Sequence, residues 1–167
     1  MKKVKISDTP PVMYVMIALI CIAIIFGTAA FLNELCLYVS MLVGIVAFLY
    51  VHKHGTTVEF GDGKIIRCRC IFYRWKIDLE NIDTFSYTLS EHMTRGGIRH
   101  SMGITFYHSM KGIKDCYKLT SWIMENEMKK LLRNDADKLE IMQIYKYAES
   151  LYPDKAEGYT EKDKINM

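Results

Sequence analysis

Between Pro11 and Val51 the chain carries one charged side chain, Glu34, and no lysine, arginine or histidine, whereas charges crowd the remainder. Helices that are apolar on every face need apolar surroundings on every face, so few folds accommodate such a run. Pro11–Leu32 reads PVMYVMIALICIAIIFGTAAFL, 22 residues. As a helix this reaches ~33 Å, enough for a hydrocarbon core of ~30 Å. After Asn33-Glu34, Leu35–Val51 supplies 17 more, or ~25 Å, the short end for a span, which bilayer thinning would accommodate. Tyr14, Tyr38 and Tyr50 fall near segment ends, where amphipathic rings favour headgroups. The pattern predicts a transmembrane α-hairpin.

Lys2, Lys3 and Lys5 precede the first segment, and Lys53, between His52 and His54, follows the second. The intervening turn carries no positive charge, so the positive-inside rule predicts a multi-pass inner-membrane protein with both termini cytoplasmic. A cleaved signal peptide is the weaker reading, because the run exceeds a usual h-region and a second apolar segment follows at once. A lipoprotein site at Cys21 lacks the small residue expected at Ile20.

The formal charge of +3 divides into four lysines against Asp8 and Glu34 over residues 1–54, and 18 basic against 17 acidic side chains over residues 55–167. A nearly neutral domain is a poor partner for a nucleic acid polymer, and the basic excess beside the apolar run suits anionic lipid. Five cysteines without regular spacing, Cys21, Cys36, Cys68, Cys70 and Cys116, suggest buried thiols rather than a disulfide framework.

Beyond residue 54 the apolar period becomes two. Thr56–Phe60 and Lys64–Ile71 flank Gly61-Asp62-Gly63, a hairpin signal. Ile66, Cys68, Cys70 and Phe72 are expected on one face, Arg67 and Arg69 on the other. Arg74–Leu79 and Thr84–Ser90 read as further strands, separated by a polar corner at Glu80–Asp83. Glu91–Arg99, holding Gly96-Gly97, reads as a mobile loop, and Met102–His108 with Asp115–Ser121 as another hairpin. Trp122, Met124, Met128, Leu131 and Leu132 then recur at helical spacing, as do Leu139, Met142, Tyr145, Ala148 and Leu151. Pro153 ends the second helix and the tail from Asp154 reads as disordered.

The stretch Val58-Glu59-Phe60-Gly61-Asp62-Gly63-Lys64-Ile65, followed by Trp75-Lys76-Ile77-Asp78-Leu79-Glu80-Asn81-Ile82, resembles the bacterial pleckstrin-homology-like domains, YcxB-like proteins among them. The shared pattern is strand, DG turn, strand, then an aromatic-led strand ending in a D/E-x-I corner. It covers roughly residues 55–150. The resemblance implies a small antiparallel barrel closed by a C-terminal helix, often preceded by two transmembrane helices. The departure is a second helical segment where the family shows one dominant helix.

No phosphate loop, dinucleotide fingerprint, zinc-protease or nucleophile-elbow motif is present, so no enzyme, cofactor or metal is expected. Cys68-x-Cys70 reads as buried small hydrophobes rather than zinc ligands, since its spacing is not that of a structural site. The suggestive polar feature is Arg67, Arg69, Arg74 and Lys76 on two adjacent strands, a four-cation patch for a lipid headgroup or acidic partner, weighed against an ordinary solvated face.

The expectation is therefore a membrane-anchored α+β chain. It has a cytoplasmic segment at 1–10, spans at 11–32 and 35–52 joined by an external turn at 33–34, a β-rich domain at 55–152 and a disordered tail at 153–167. Its role is non-enzymatic: presenting an interaction domain at the cytoplasmic membrane face to a protein, peptide or lipid headgroup, with homo-oligomerisation permitted. The alternative is a two-span β-barrel effector gated by a cyclic nucleotide in antiphage defence, with Arg95, Arg99 and His100 on phosphate.

Overall fold

A computed structural model describes residues 1–31, 34–94, 97–110, 113–124, 127 and 139–161. The first element is not a helix. Strand β1 (Lys2–Ile6) is followed by α1 (Pro11–Phe31) and α2 (Glu34–His54), then by β2 (Thr56–Phe60), β3 (Ile65–Cys70) and β4 (Tyr73–Asp78). These strands form one antiparallel sheet in the order β1-β2-β3-β4. The helical hairpin is thus inserted between two hydrogen-bonded neighbours, Lys2 opposite Phe60 and Ile6 opposite Thr56. It does not precede the domain as the sequence suggested.

A short 3-10 turn (Leu79–Asn81), capped by the Asp78 side chain, leads to β5 (Thr84–Thr94), β6 (Gly97–Met110) and β7 (Ile113–Ile123). The second sheet has the order β7-β6-β5-β8. Helix α3 (Glu140–Leu151) buries Ile141, Met142, Ile144, Tyr145 and Ala148, one stripe at helical spacing. After Pro153, β8 (Ala156–Tyr159) pairs in parallel with β5. The tail expected to be disordered is in part a strand. Lys155 Nζ donates to the carbonyl oxygens of Leu79, Glu80 and Ile82 at 3.2, 2.9 and 2.7 Å, pinning it to the corner after β4.

The main core lies between the sheets and α3, with Val58, Ile66, Ile77, Phe85, Ile104, Phe106, Ile144 and Tyr145 at its centre. Burying a side chain of this size contributes on the order of 1.5–3 kcal/mol. A smaller cluster of Met13, Val51 and Cys70 joins the helical hairpin to the sheet end.

Three expectations change. Among the described residues no helix is long and apolar enough to cross a membrane. This overturns the transmembrane hairpin at 11–32 and 35–52, the integral membrane function, the inner-membrane placement and the two-span effector. Second, Glu91–Thr94 and Gly97–Arg99 extend β5 and β6, so the segment read as a loop is mostly ladder. Third, Trp122 and Ile123 end β7 rather than open a helix. Met128, Leu131 and Leu132 of that expected helix lie outside the described residues.

Candidate functional site

The strand register turns the four expected cations into a larger array. Across the outer face of the first sheet, one row reads Lys5, Thr57, Arg69, Arg74 and the next reads Lys3, Glu59, Arg67, Lys76. Arg67, Arg69, Arg74 and Lys76 are all exposed, so the structure brings the predicted residues together. With strands ~4.8 Å apart and residues on one face ~7 Å apart, the array occupies roughly 14 by 7 Å. Six cations stand against two carboxylates, Glu59 and Asp78. Asp78 is engaged in capping, accepting from the Glu80 backbone N–H at 3.1 Å. Glu59 is paired with Lys3 at 2.7 Å, and that bond, with Arg67 and Arg69 nearby, holds its carboxyl below the usual range.

Like charges directly opposite one another destabilise a sheet. Here Arg67 faces Lys76 and Arg69 faces Arg74. A face that needed only solvation would gain by alternating signs, as Lys3 and Glu59 do. Lys3 and Lys5 were not legible as members of this site. They are some 50 residues from β2 in sequence and read as the flank of an apolar segment.

The row Lys5-Thr57-Arg69-Arg74 lies at the end of the sheet where the helical hairpin emerges. Its base is tied by Thr56 Oγ1 donating to the Asp8 carbonyl at 2.7 Å, by Thr9 Oγ1 donating to the Val51 carbonyl, and by Tyr14 Oη bonded to His52 Nδ1 at 2.7 Å. At the same end Ile71 and Phe72 form the β3–β4 turn. Phe72, expected on the inner face with Cys68 and Cys70, is instead 86% exposed. Ile71 takes φ +50°, an outlier for a β-branched residue. Arg69 Nε donates to the Ile71 carbonyl at 3.4 Å.

Between the hairpin base, β4 and β7 lies a cavity of about 290 Å³ lined by Asp8, Trp75, Tyr117 and Lys118 among others. Burial raises the Asp8 carboxyl, opposed by the Thr9 backbone N–H at 2.9 Å, by Thr120 and by Lys118. Its stabilising contribution is therefore full at low pH and is lost as pH rises through the folded value. The Cys116 thiol and the Thr120 hydroxyl line the same cavity.

Cys68 and Cys70 are buried. Desolvation pushes the Cys68 thiol up to about 12. The folded protein thus keeps a proton that the unfolded chain releases, and this contribution to stability is lost as pH rises from ~9 towards 12. At pH 8, iodoacetamide is expected to label Cys68 at least tenfold more slowly in the folded protein than in urea, measured by peptide mass spectrometry. Equal rates would show an open strand. Among the described residues no three His, Cys, Asp or Glu side chains converge as a metal site.

The phosphate-contacting alternative does not assemble. Arg99 and His100 are neighbours on β6, so they point to opposite faces. His100 Nδ1 lies 3.5 Å from Glu91, and Arg95 is outside the described residues. No protein-family model, curated protein or solved structure matches the chain.

Proposed function

We propose that this chain is a non-enzymatic interaction module whose outer sheet face, Lys3, Lys5, Arg67, Arg69, Arg74 and Lys76, binds a partner carrying clustered anionic groups. The observation behind this reading is the double row of cations with like charges opposed across β3 and β4. Arginine presents planar donors to phosphate or carboxylate, and several such contacts together give usable affinity where single exposed pairs give little. The pleckstrin-homology-like resemblance of the sequence, taken as an expectation, implies a binding rather than a catalytic role.

The test uses the full chain in neutral detergent and a short linear polyphosphate, titrated calorimetrically at two salt concentrations. Binding that weakens with salt is expected, and Arg67→Gln with Lys76→Gln should reduce it at least tenfold, with rescue by Arg67→Lys and Lys76→Arg. Absent binding, or binding unaffected by the double substitution, would overturn the reading.

A further inference from the structure

The partner's chemistry is suggested by what lies beside the cations. Phe72, at the tip of the β3–β4 turn, is 86% exposed. Arg69 and Arg74 pair directly across the strands that flank it. The turn is held by Ile71 in the left-handed region. Strain of that kind persists only where surrounding structure enforces it, and it concentrates at sites that present a side chain. Behind the turn, Ile71 packs against the cluster of Cys70 with Met13 and Val51 of the helical hairpin. The turn therefore adjoins the base of the helical hairpin, on which Val15, Leu19, Ile20, Phe26, Leu42 and Phe48 are each exposed. Lys5, Arg69 and Arg74 border it on the sheet side, and Lys53 closes the last turn of α2.

We infer that the β3–β4 turn is an interfacial anchor, with Phe72 entering the acyl boundary of an anionic lipid surface while Arg69 and Arg74 contact its headgroup phosphates. This rests on the proposed anion-binding face and names its ligand. Exposed apolar side chains set beside cations are the composition of an interaction site. An amphipathic anionic film matches both parts, because it offers phosphate at one depth and hydrocarbon just below. An acidic protein with an apolar socket would match Phe72 but leave the adjoining helical surface uncovered. The contact requires only that the turn and the hairpin base meet the interface.

The test places the reporter at the turn. In a full chain carrying Trp75→Phe and Trp122→Phe, Phe72→Trp supplies the only indole. With vesicles of phosphatidylglycerol and phosphatidylcholine, its emission is expected to shift to the blue. Brominated acyl chains should quench it several-fold, and much less in vesicles of phosphatidylcholine alone. Arg69→Gln with Arg74→Gln should abolish the difference between the two vesicle types. An indole that remains unquenched in both would overturn the anchor, as would quenching that is indifferent to lipid charge or to the arginines. An acidic protein partner would appear as the first of these. Polyphosphate binding by the Phe72→Ala chain separates the two levels. If it persists while the anchor fails, the basic face stands and only the lipid assignment falls. Loss of polyphosphate binding by the unsubstituted chain would remove both.

Discussion

Gly55→Ala is expected to lower stability by ~2 kcal/mol or more, the cost of forcing a side chain into the left-handed region and against backbone. Strands β1 and β2 are hydrogen-bonded neighbours, yet the whole helical hairpin lies between them in sequence. The chain returns from His54 to Thr56 through this one residue. Gly55 adopts φ +60°, and a Cβ there would stand 2.3 Å from the Ile6 carbonyl oxygen. That oxygen belongs to the strand and cannot retreat without disturbing the Ile6–Thr56 register. Gly27→Ala is the control. Its Cβ would meet nothing within 4 Å, and alanine favours a helix by ~1 kcal/mol. Thermal or denaturant midpoints for both variants check the claim. If Gly55→Ala unfolds with the parent midpoint, the return of the hairpin is not built this way.

Tyr145→Ala is expected to cost ~3–5 kcal/mol, the range for removing a large aromatic from a core. Tyr145 is 2% exposed and stands edge-on to Phe85 and Tyr87, with centroids 5.4 and 4.9 Å away. Its hydroxyl accepts from the Gly158 backbone N–H at 3.0 Å. Helix α3, β5 and β8 therefore meet at one ring. Tyr145→Phe keeps the packing and removes only the bond, so it should cost ~1 kcal/mol. Both follow from equilibrium unfolding. Equal losses for the two variants would mean that the hydroxyl, not the ring, carries the site.

The period-2 pattern disclosed β2, β3 and β4 and the turn at Gly61-Asp62-Gly63, because alternation and glycine act within a few residues of one another. The helical stripe through Met142, Tyr145 and Ala148 was legible for the same reason. Arg67, Arg69, Arg74 and Lys76 were legible as a cluster, since a hairpin places alternating residues side by side. Phe72 was misread, because continuing the alternation past Cys70 ignores that a turn ends the pleat.

The sequence by itself determined the local elements and the outward side of the β3–β4 hairpin, since those depend on the periodicity of nearby residues. Only the tertiary structure decided that Lys2–Ile6 is a strand, that it pairs with Thr56–Phe60, and that Lys3 and Lys5 complete the cationic rows. It also decided that Ala156–Tyr159 closes the second sheet as β8. Short strands whose partners lie some 50 or 70 residues away bury too little surface of their own to announce themselves, and their hydrogen bonds exist only once distant chain segments have come together.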